Sequence, residues 1–216
     1  MAQIFQPSTD RWLRFFFLAF VLIAVGTIAV AVPGMQSAMT GVGYQPTQPV
    51  PFSHKLHAGD LAMDCTYCNN TVDRADYAAI PTTETCLNCH ARVVPNSPLL
   101  ADVFESYGSR VPIEWIRVHR LPDYTYFSHQ AHVTVGVSCV SCHGRVDQME
   151  EVRQVEPLNM AWCLDCHRNP SPNLRPVAEV TNMSWDSAAD NYNPHQDPAR
   201  GDRKLSPPEH CSGCHR

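Results

Sequence analysis

All ten cysteines of this 216-residue chain fall into Cys-x-x-Cys pairs, beginning at Cys65, Cys86, Cys139, Cys163 and Cys211, and none is left over. Thiols three residues apart share one face of a helical turn, so each pair is a two-point station, and any fold for this chain has to place five of them. Hydrophobic residues make up 44% of the sequence, which excludes a disordered polar chain. A net charge of -5 leaves no basic excess to neutralise phosphates, which argues against a nucleic-acid partner.

Four pairs are followed at once by histidine, as Cys86-Leu-Asn-Cys89-His90, Cys139-Val-Ser-Cys142-His143, Cys163-Leu-Asp-Cys166-His167 and Cys211-Ser-Gly-Cys214-His215. This is the attachment signature of c-type haem: two thiols add to the two vinyl groups of one porphyrin, and the next residue brings an imidazole to the iron. The gaps of 17 residues between Cys68 and Cys86 and 20 between Cys142 and Cys163 also match four-cysteine zinc sites. Zinc does not require a histidine after each second cysteine, and chance would supply four in five only about 3 times in 100,000. Five disulfides in an exported protein would leave the histidines unexplained. The fifth pair, Cys65-Thr-Tyr-Cys68, is followed by Asn69. Both thiols are present, so five covalently bound haem c groups are expected, the first without its usual proximal imidazole.

Electron-transfer haems take two strong axial ligands. The phrase Phe-Ser-His-x-x-His occurs twice, at Phe52-Ser53-His54-Lys55-Leu56-His57 and Phe127-Ser128-His129-Gln130-Ala131-His132, followed after seven and six residues by a cysteine pair. The chain therefore reads as two related di-haem modules, 50–92 and 125–168, with a fifth haem at the C-terminus. Histidines three apart share a helical face without having to serve one iron; one is expected on its module's first haem and the other on a neighbouring haem. His54, His57, His119, His129 and His132 are the expected distal ligands. His195, His210, Met149 and Met160 remain alternatives, methionine being more often a gap filler.

From Phe15 to Val32 run 18 residues without a charge, about 27 Å as a helix. That exceeds the apolar region of a typical signal peptide, about 7 to 15 residues, so a retained anchor is expected although Ala29-Val30-Ala31 resembles a cleavage site. Arg11 and Arg14 precede the run and no Lys or Arg follows it before Lys55, which puts residues 1–14 in the cytoplasm, 15–32 in the membrane and the haem domain outside. Without Arg11, Arg14 and Asp10, the exported part keeps 14 basic and 20 acidic residues, a net charge of -6. Residues 33–49, with Pro33, Pro46, Pro49 and three glycines, read as an extended tether. Residues 93–124 connect the modules and carry His119. The segment 169–216, with seven prolines, reads as a wrap leading to the terminal haem. The exported part has about 37 residues per haem, so the expected fold is a multihaem cytochrome c, mostly irregular with short α-helices around stacked haems.

The repeats with downstream attachment motifs resemble multihaem class III cytochromes. The order of anchor, di-haem module, Trp115-Ile-Arg-Val-His119-Arg-Leu-Pro122 segment, di-haem module and terminal Cys211-x-x-Cys-His215 resembles the membrane-anchored pentahaem cytochrome c subunit of bacterial alternative complex III. The resemblance implies an inner-membrane complex, respiratory or photosynthetic, that oxidises quinol. In it this subunit relays electrons from an iron-sulfur partner towards a mono-haem cytochrome or a soluble periplasmic cytochrome or copper protein, while multispanning partners bind the quinol. It further implies an electron-transfer component with no catalytic residue of its own. The alternative is a membrane-anchored multihaem quinol dehydrogenase that oxidises quinol itself; a third class is catalysis at an open first haem.

Overall fold

The computed structural model describes residues 6–198 and 204–215, the side chains of 7 and 36–38 excepted; residues 1–5 of the segment expected to be cytoplasmic, and 199–203 and 216 of the terminal one, lie outside. It divides into two compact units, Met1–Gly41 and Val42–Arg216.

The first unit is helix α1 (Pro7–Thr40), 34 residues, about 51 Å long. Proline at its first position is pre-set for a helix, and Asp10 complements the dipole while pairing with Arg14 at 2.7 Å. The span Ser8–Met35 has a mean hydropathy of 2.8 and none of it is buried, which suits a lipid surround. Its one central hydroxyl, Thr27 Oγ1, donates to the Ile23 carbonyl at 2.8 Å, as backbone-satisfied polar groups in lipid must. The helix passes through Pro33 and ends at Thr40, so the first eight residues of the stretch read as an extended tether are helical. One proline removes a single backbone bond, and the helix continues through Gly34 until Gly41, where φ is 69°.

The second unit is built from short helices: α2 (Cys65–Cys68), α3 (Thr83–His90), α4 (Ala101–Ser109), α5 (His129–Val133), α6 (Cys139–His143), α7 (Met160–Arg168) and α8 (Cys211–Cys214), with a π-helical turn at Lys55–Asp60. Among the described residues there is no β-strand, only isolated bridges at Thr125–His215 and Val137–Leu174. The buried apolar side chains are few: Val50, Leu100, Val103, Met149, Leu174 and Val180. Three of them, Val50, Leu100 and Val103, form a cluster on which Cys86, Leu87, Phe104, Ile113 and Trp115 pack.

The two histidine phrases lean on each other's modules. Lys55 N–H donates to the Met149 carbonyl (2.9 Å), beyond the third cysteine pair; Gln130 and His129 N–H donate to Ala75 and Asp76 (3.2 and 3.1 Å), beyond the first. The Pro-rich segment is pinned across both. Cys139 N–H donates to Val180 O (3.2 Å) and Arg175 N–H to Gly136 O (2.9 Å), while Thr181 Oγ1 reaches Asp64 at 2.7 Å. The C-terminus returns to the start of the second module, where Tyr126 N–H donates to Cys214 O at 2.8 Å.

Candidate functional site

Each cysteine pair sits on a short helix, and three of these helices are capped by a preceding side chain. Asp64 accepts from Thr66 N–H (2.8 Å), Ser138 Oγ from Val140 N–H (3.2 Å) and Asn159 Oδ1 from Trp162 N–H (2.9 Å). These are N-caps. They place the two thiols at i and i+3, and a following histidine at i+4, on one face. At the first station Asn69 N–H donates to Cys65 O at 3.0 Å, as His215 N–H does to Cys211 O at the fifth (2.8 Å), and the Asn69 side-chain amide also folds back on Cys65 O at 3.5 Å.

The two histidine phrases build the same object twice. Phe52 stacks on His57 (4.3 Å, 24°) and meets His54 edge-on (4.8 Å, 87°); Phe127 stacks on His132 (4.5 Å, 28°) and meets His129 edge-on (4.9 Å, 86°). Ser53 and Ser128 accept from the N–H three residues on, at 3.0 and 3.3 Å. Their carbonyls lie 2.8 and 2.7 Å from Nδ1 of His57 and His132. A carbonyl only accepts, so Nδ1 carries the hydrogen and Nε2 keeps a free lone pair, the arrangement of a metal-ligating imidazole with its outer-shell partner. The pattern recurs at His90 (Val93 O, 3.1 Å), His129 (Asp76 O, 2.9 Å), His167 (Pro208 O, 2.6 Å) and His215 (Tyr124 O, 3.1 Å). The phenylalanine and serine roles are legible in sequence only as repetition, without their function.

The imidazoles face one another in pairs. Ring centroids are 6.1 Å apart for His57 and His90, 6.1 Å for His132 and His167, and 6.5 Å for His129 and His143, the last pair within 11° of parallel. Two imidazoles on opposite sides of one iron, each nitrogen about 2.0 Å from the metal, have centroids roughly 6 Å apart. The donor set therefore fits a haem at each of these stations. Burial keeps the rings neutral, as ligation requires: it lowers His54 to about 4 and His143 to about 3, and lowers His119 and His132 as well. The sparse apolar core fits the same group, since broad porphyrin faces supply the apolar area that the side chains do not.

The thiol pairs form a file. Cys68 is raised by burial and by neighbouring Cys86; Cys65 is held low by a hydrogen bond with Cys139; burial raises Cys142 to about 12, with Cys166 and Cys163 next in effect; burial raises Cys163, next to Cys214. The second station thus neighbours the first, the first the third, the third the fourth and the fourth the fifth. All ten thiols are free, and among the described residues no group of three or more His, Cys, Asp or Glu side chains is gathered tightly enough to hold a bare metal ion. Stations in a file, rather than gathered in fours, do not fit four-cysteine zinc sites.

His119 lies 4.4 Å from His143, edge-on at 78°, too close to sit across one iron from it. His195 is exposed and bonded to Ser171 (3.1 Å), and His210 is exposed beside Ser212 (3.1 Å). Met149 is buried, with its carbonyl on Lys55, and Met160 is 66% exposed. A cavity of about 240 Å³ opens beside the terminal station, lined in part by Asp76, Tyr77, Tyr126, Phe127, Cys214 and His215. Helix α4 and the turn before it, which shape the small core next to Cys86, have a sequence signal that the reading above did not use: Leu100, Val103 and Phe104 at helical spacing.

No family model matches the chain. Among curated proteins it is similar to the menaquinone reductase multihaem cytochrome c subunit of Nitratidesulfovibrio vulgaris (strain Hildenborough), 32% identical over 120 residues, 55% of this chain. The chain spans about half the length of that relative, 56% of which is matched. With one N-terminal apolar helix, no strand among the described residues and short helices bearing paired thiols, the similarity supports a multihaem cytochrome c.

Proposed function

We propose that the chain is the membrane-anchored electron-relay subunit of a quinone-linked oxidoreductase complex, with five covalently bound haem c groups, one on each cysteine pair. The file of thiol pairs carries this reading, because adjoining stations let electrons pass from one end of the domain to the other. Haem, when bound, supplies a one-electron iron couple whose potential follows its axial ligands. The chain's part is to hold and tune. Cys65, Cys68, Cys86, Cys89, Cys139, Cys142, Cys163, Cys166, Cys211 and Cys214 fix the groups covalently. His90 with His57, His143 with His129, and His167 with His132 would hold the irons of the second, third and fourth stations, and His215 that of the fifth. Backbone carbonyls on Nδ1 orient these rings and raise their basicity. Helix α1 crosses the inner membrane once, with Arg11 and Arg14 on the cytoplasmic side and the haem domain in the periplasm.

The alternative-complex-III resemblance gives electrons flowing from quinol through an iron-sulfur protein towards a mono-haem cytochrome or a soluble periplasmic acceptor, with multispanning partners holding the quinol. A second reading reverses the flow towards quinone, favoured by the relative's name as a menaquinone reductase. Purifying the native membrane complex tests both. Co-purification with an iron-sulfur subunit and multispanning subunits, and haem reduction by a menaquinol analogue, are expected. Haems oxidised by the quinone analogue but not reduced by the quinol would support the reversed flow. Isolation as a lone chain that quinol reduces directly would instead support a membrane-anchored quinol dehydrogenase.

A further inference from the structure

Three stations have facing imidazoles and the terminal one has His215, which leaves the Cys65/Cys68 station, where Asn69 folds back onto its own turn. Two internal histidines remain uncommitted, His54 and His119. They are also the two histidines, among the described residues, with a buried ring nitrogen that has no hydrogen-bond partner: Nδ1 of His54 and Nε2 of His119. A buried polar atom without a hydrogen-bond partner is unfavourable, so these two ring nitrogens mark a missing ligand.

Both lie near His143, on the helix of the third station, which adjoins the first. The Cys65 and Cys139 thiols are neighbours, and His143, on the helix that Cys139 begins, has His119 and His54 within electrostatic reach. Gly59, on the turn that follows His54, packs against the Asp147 backbone, and Asp147 is also a neighbour of Cys65. The segment bearing His119 is clamped to the chain just ahead of His54, with Gln48 donating to Ile116 O (2.8 Å) and accepting from Ile116 N–H (2.9 Å). His119 cannot share the iron of His143 across a 4.4 Å, edge-on contact; of the two stations that adjoin the third, the fourth has His132 and His167 facing each other, which leaves the first.

We propose that His119 supplies through Nε2 the imidazole that Asn69 cannot, ligating the iron carried by Cys65 and Cys68, with His54 as the opposite ligand. This rests on the reading that Cys65 and Cys68 carry a haem. The second ligand thus arrives from the connecting segment between the modules, and ligation at this station ties that segment to the first module.

The test uses the native complex with variants of this chain, read by electron paramagnetic resonance of oxidised haem, carbon monoxide binding to reduced haem, and a covalent haem count. H119A is expected to keep five covalent haems and gain one high-spin haem per chain over wild type. That haem should bind carbon monoxide and return to low spin on addition of imidazole. In C65A/C68A/H119A the extra signal should vanish. H119M should hold that haem low-spin and raise its potential; should H119A fail to accumulate, H119M decides, and unshifted potentials overturn the assignment. It is also overturned by H119A spectra identical to wild type, by an extra signal that survives removal of Cys65 and Cys68, or by a wild-type high-spin signal that C65A/C68A abolishes. A wild-type count of four, with the Cys65/Cys68 peptide bare, would overturn both the first haem and its ligation. Five haems with negative ligand results would overturn the ligation alone.

Discussion

The two segments that carry the histidine phrases repeat one design, and their differences are concentrated around a single station. In both, a phenylalanine stacks on the second histidine of the phrase and a serine carbonyl orients that ring, which faces the histidine after the module's second cysteine pair at 6.1 Å. They part company at the first pair. The second module has His143, with His129 parallel at 6.5 Å and its Nδ1 bonded to Asp76 O. The first has Asn69, and His54 Nδ1 is buried with no partner. The first module also carries one extra residue between phrase and cysteine pair, seven against six. That residue is absorbed by the π-turn Lys55–Asp60, where Leu61 N–H reaches back five residues to Leu56 O at 2.9 Å. Inserted residues held as π-turns are frequent at functional sites. Downstream the geometries rejoin: Met63 N–H bonds to His57 O (3.0 Å), as Val137 N–H does to His132 O (2.9 Å). Repetition fixes how an imidazole is aimed, while a single substitution changes who supplies it.

Changes matched between the modules sharpen this comparison. Phe52→Ala and Phe127→Ala each remove one stacked and one edge-on ring contact from half-buried sites, and each should cost about 3 kcal/mol in guanidinium unfolding of the holoprotein. A marked inequality would show that the repeat is not energetically a repeat. Gly59→Ala, special to the first module, would put a Cβ 2.2 Å from the Asp147 carbonyl oxygen, a backbone clash expected to cost about 2 kcal/mol. Its counterpart by effect is Gly144→Ala, where φ is 66° and a Cβ would lie 2.8 Å from Val155. That change should cost a similar amount and loosen the third station instead, seen as a shifted midpoint for that haem. Smallest, Ser128→Ala loses one helix cap, about 1 kcal/mol. Ser53→Ala should cost somewhat more, because Ser53 Oγ also donates to Glu150; equal losses would show that the Glu150 contact contributes nothing.

The attachment stations are legible in sequence because covalent chemistry fixes both residue type and spacing within five residues. The facing histidines are legible as an inventory, since ligand types are few, but not as pairs: which ring meets which depends on backbone bonds between segments over 50 residues apart, such as His129 to Asp76. The π-turn is present in sequence only as a count of seven against six. The wrap 169–216 is readable as proline-rich, yet its anchorage at Val180, Arg175 and Cys214 is made by backbone groups that carry no side-chain signature. The extended reading of 33–40 gave too much weight to Pro33, because one lost hydrogen bond does not end a long apolar helix.

The most direct measurement is the intact mass of the mature chain from its native complex, followed by peptide mapping of the haem attachments. Five haems, one on each Cys-x-x-Cys peptide and including the Cys65-Thr66-Tyr67-Cys68 peptide, are expected. A chain carrying fewer, or thiols paired as disulfides or loaded with zinc, would contradict the five-station relay.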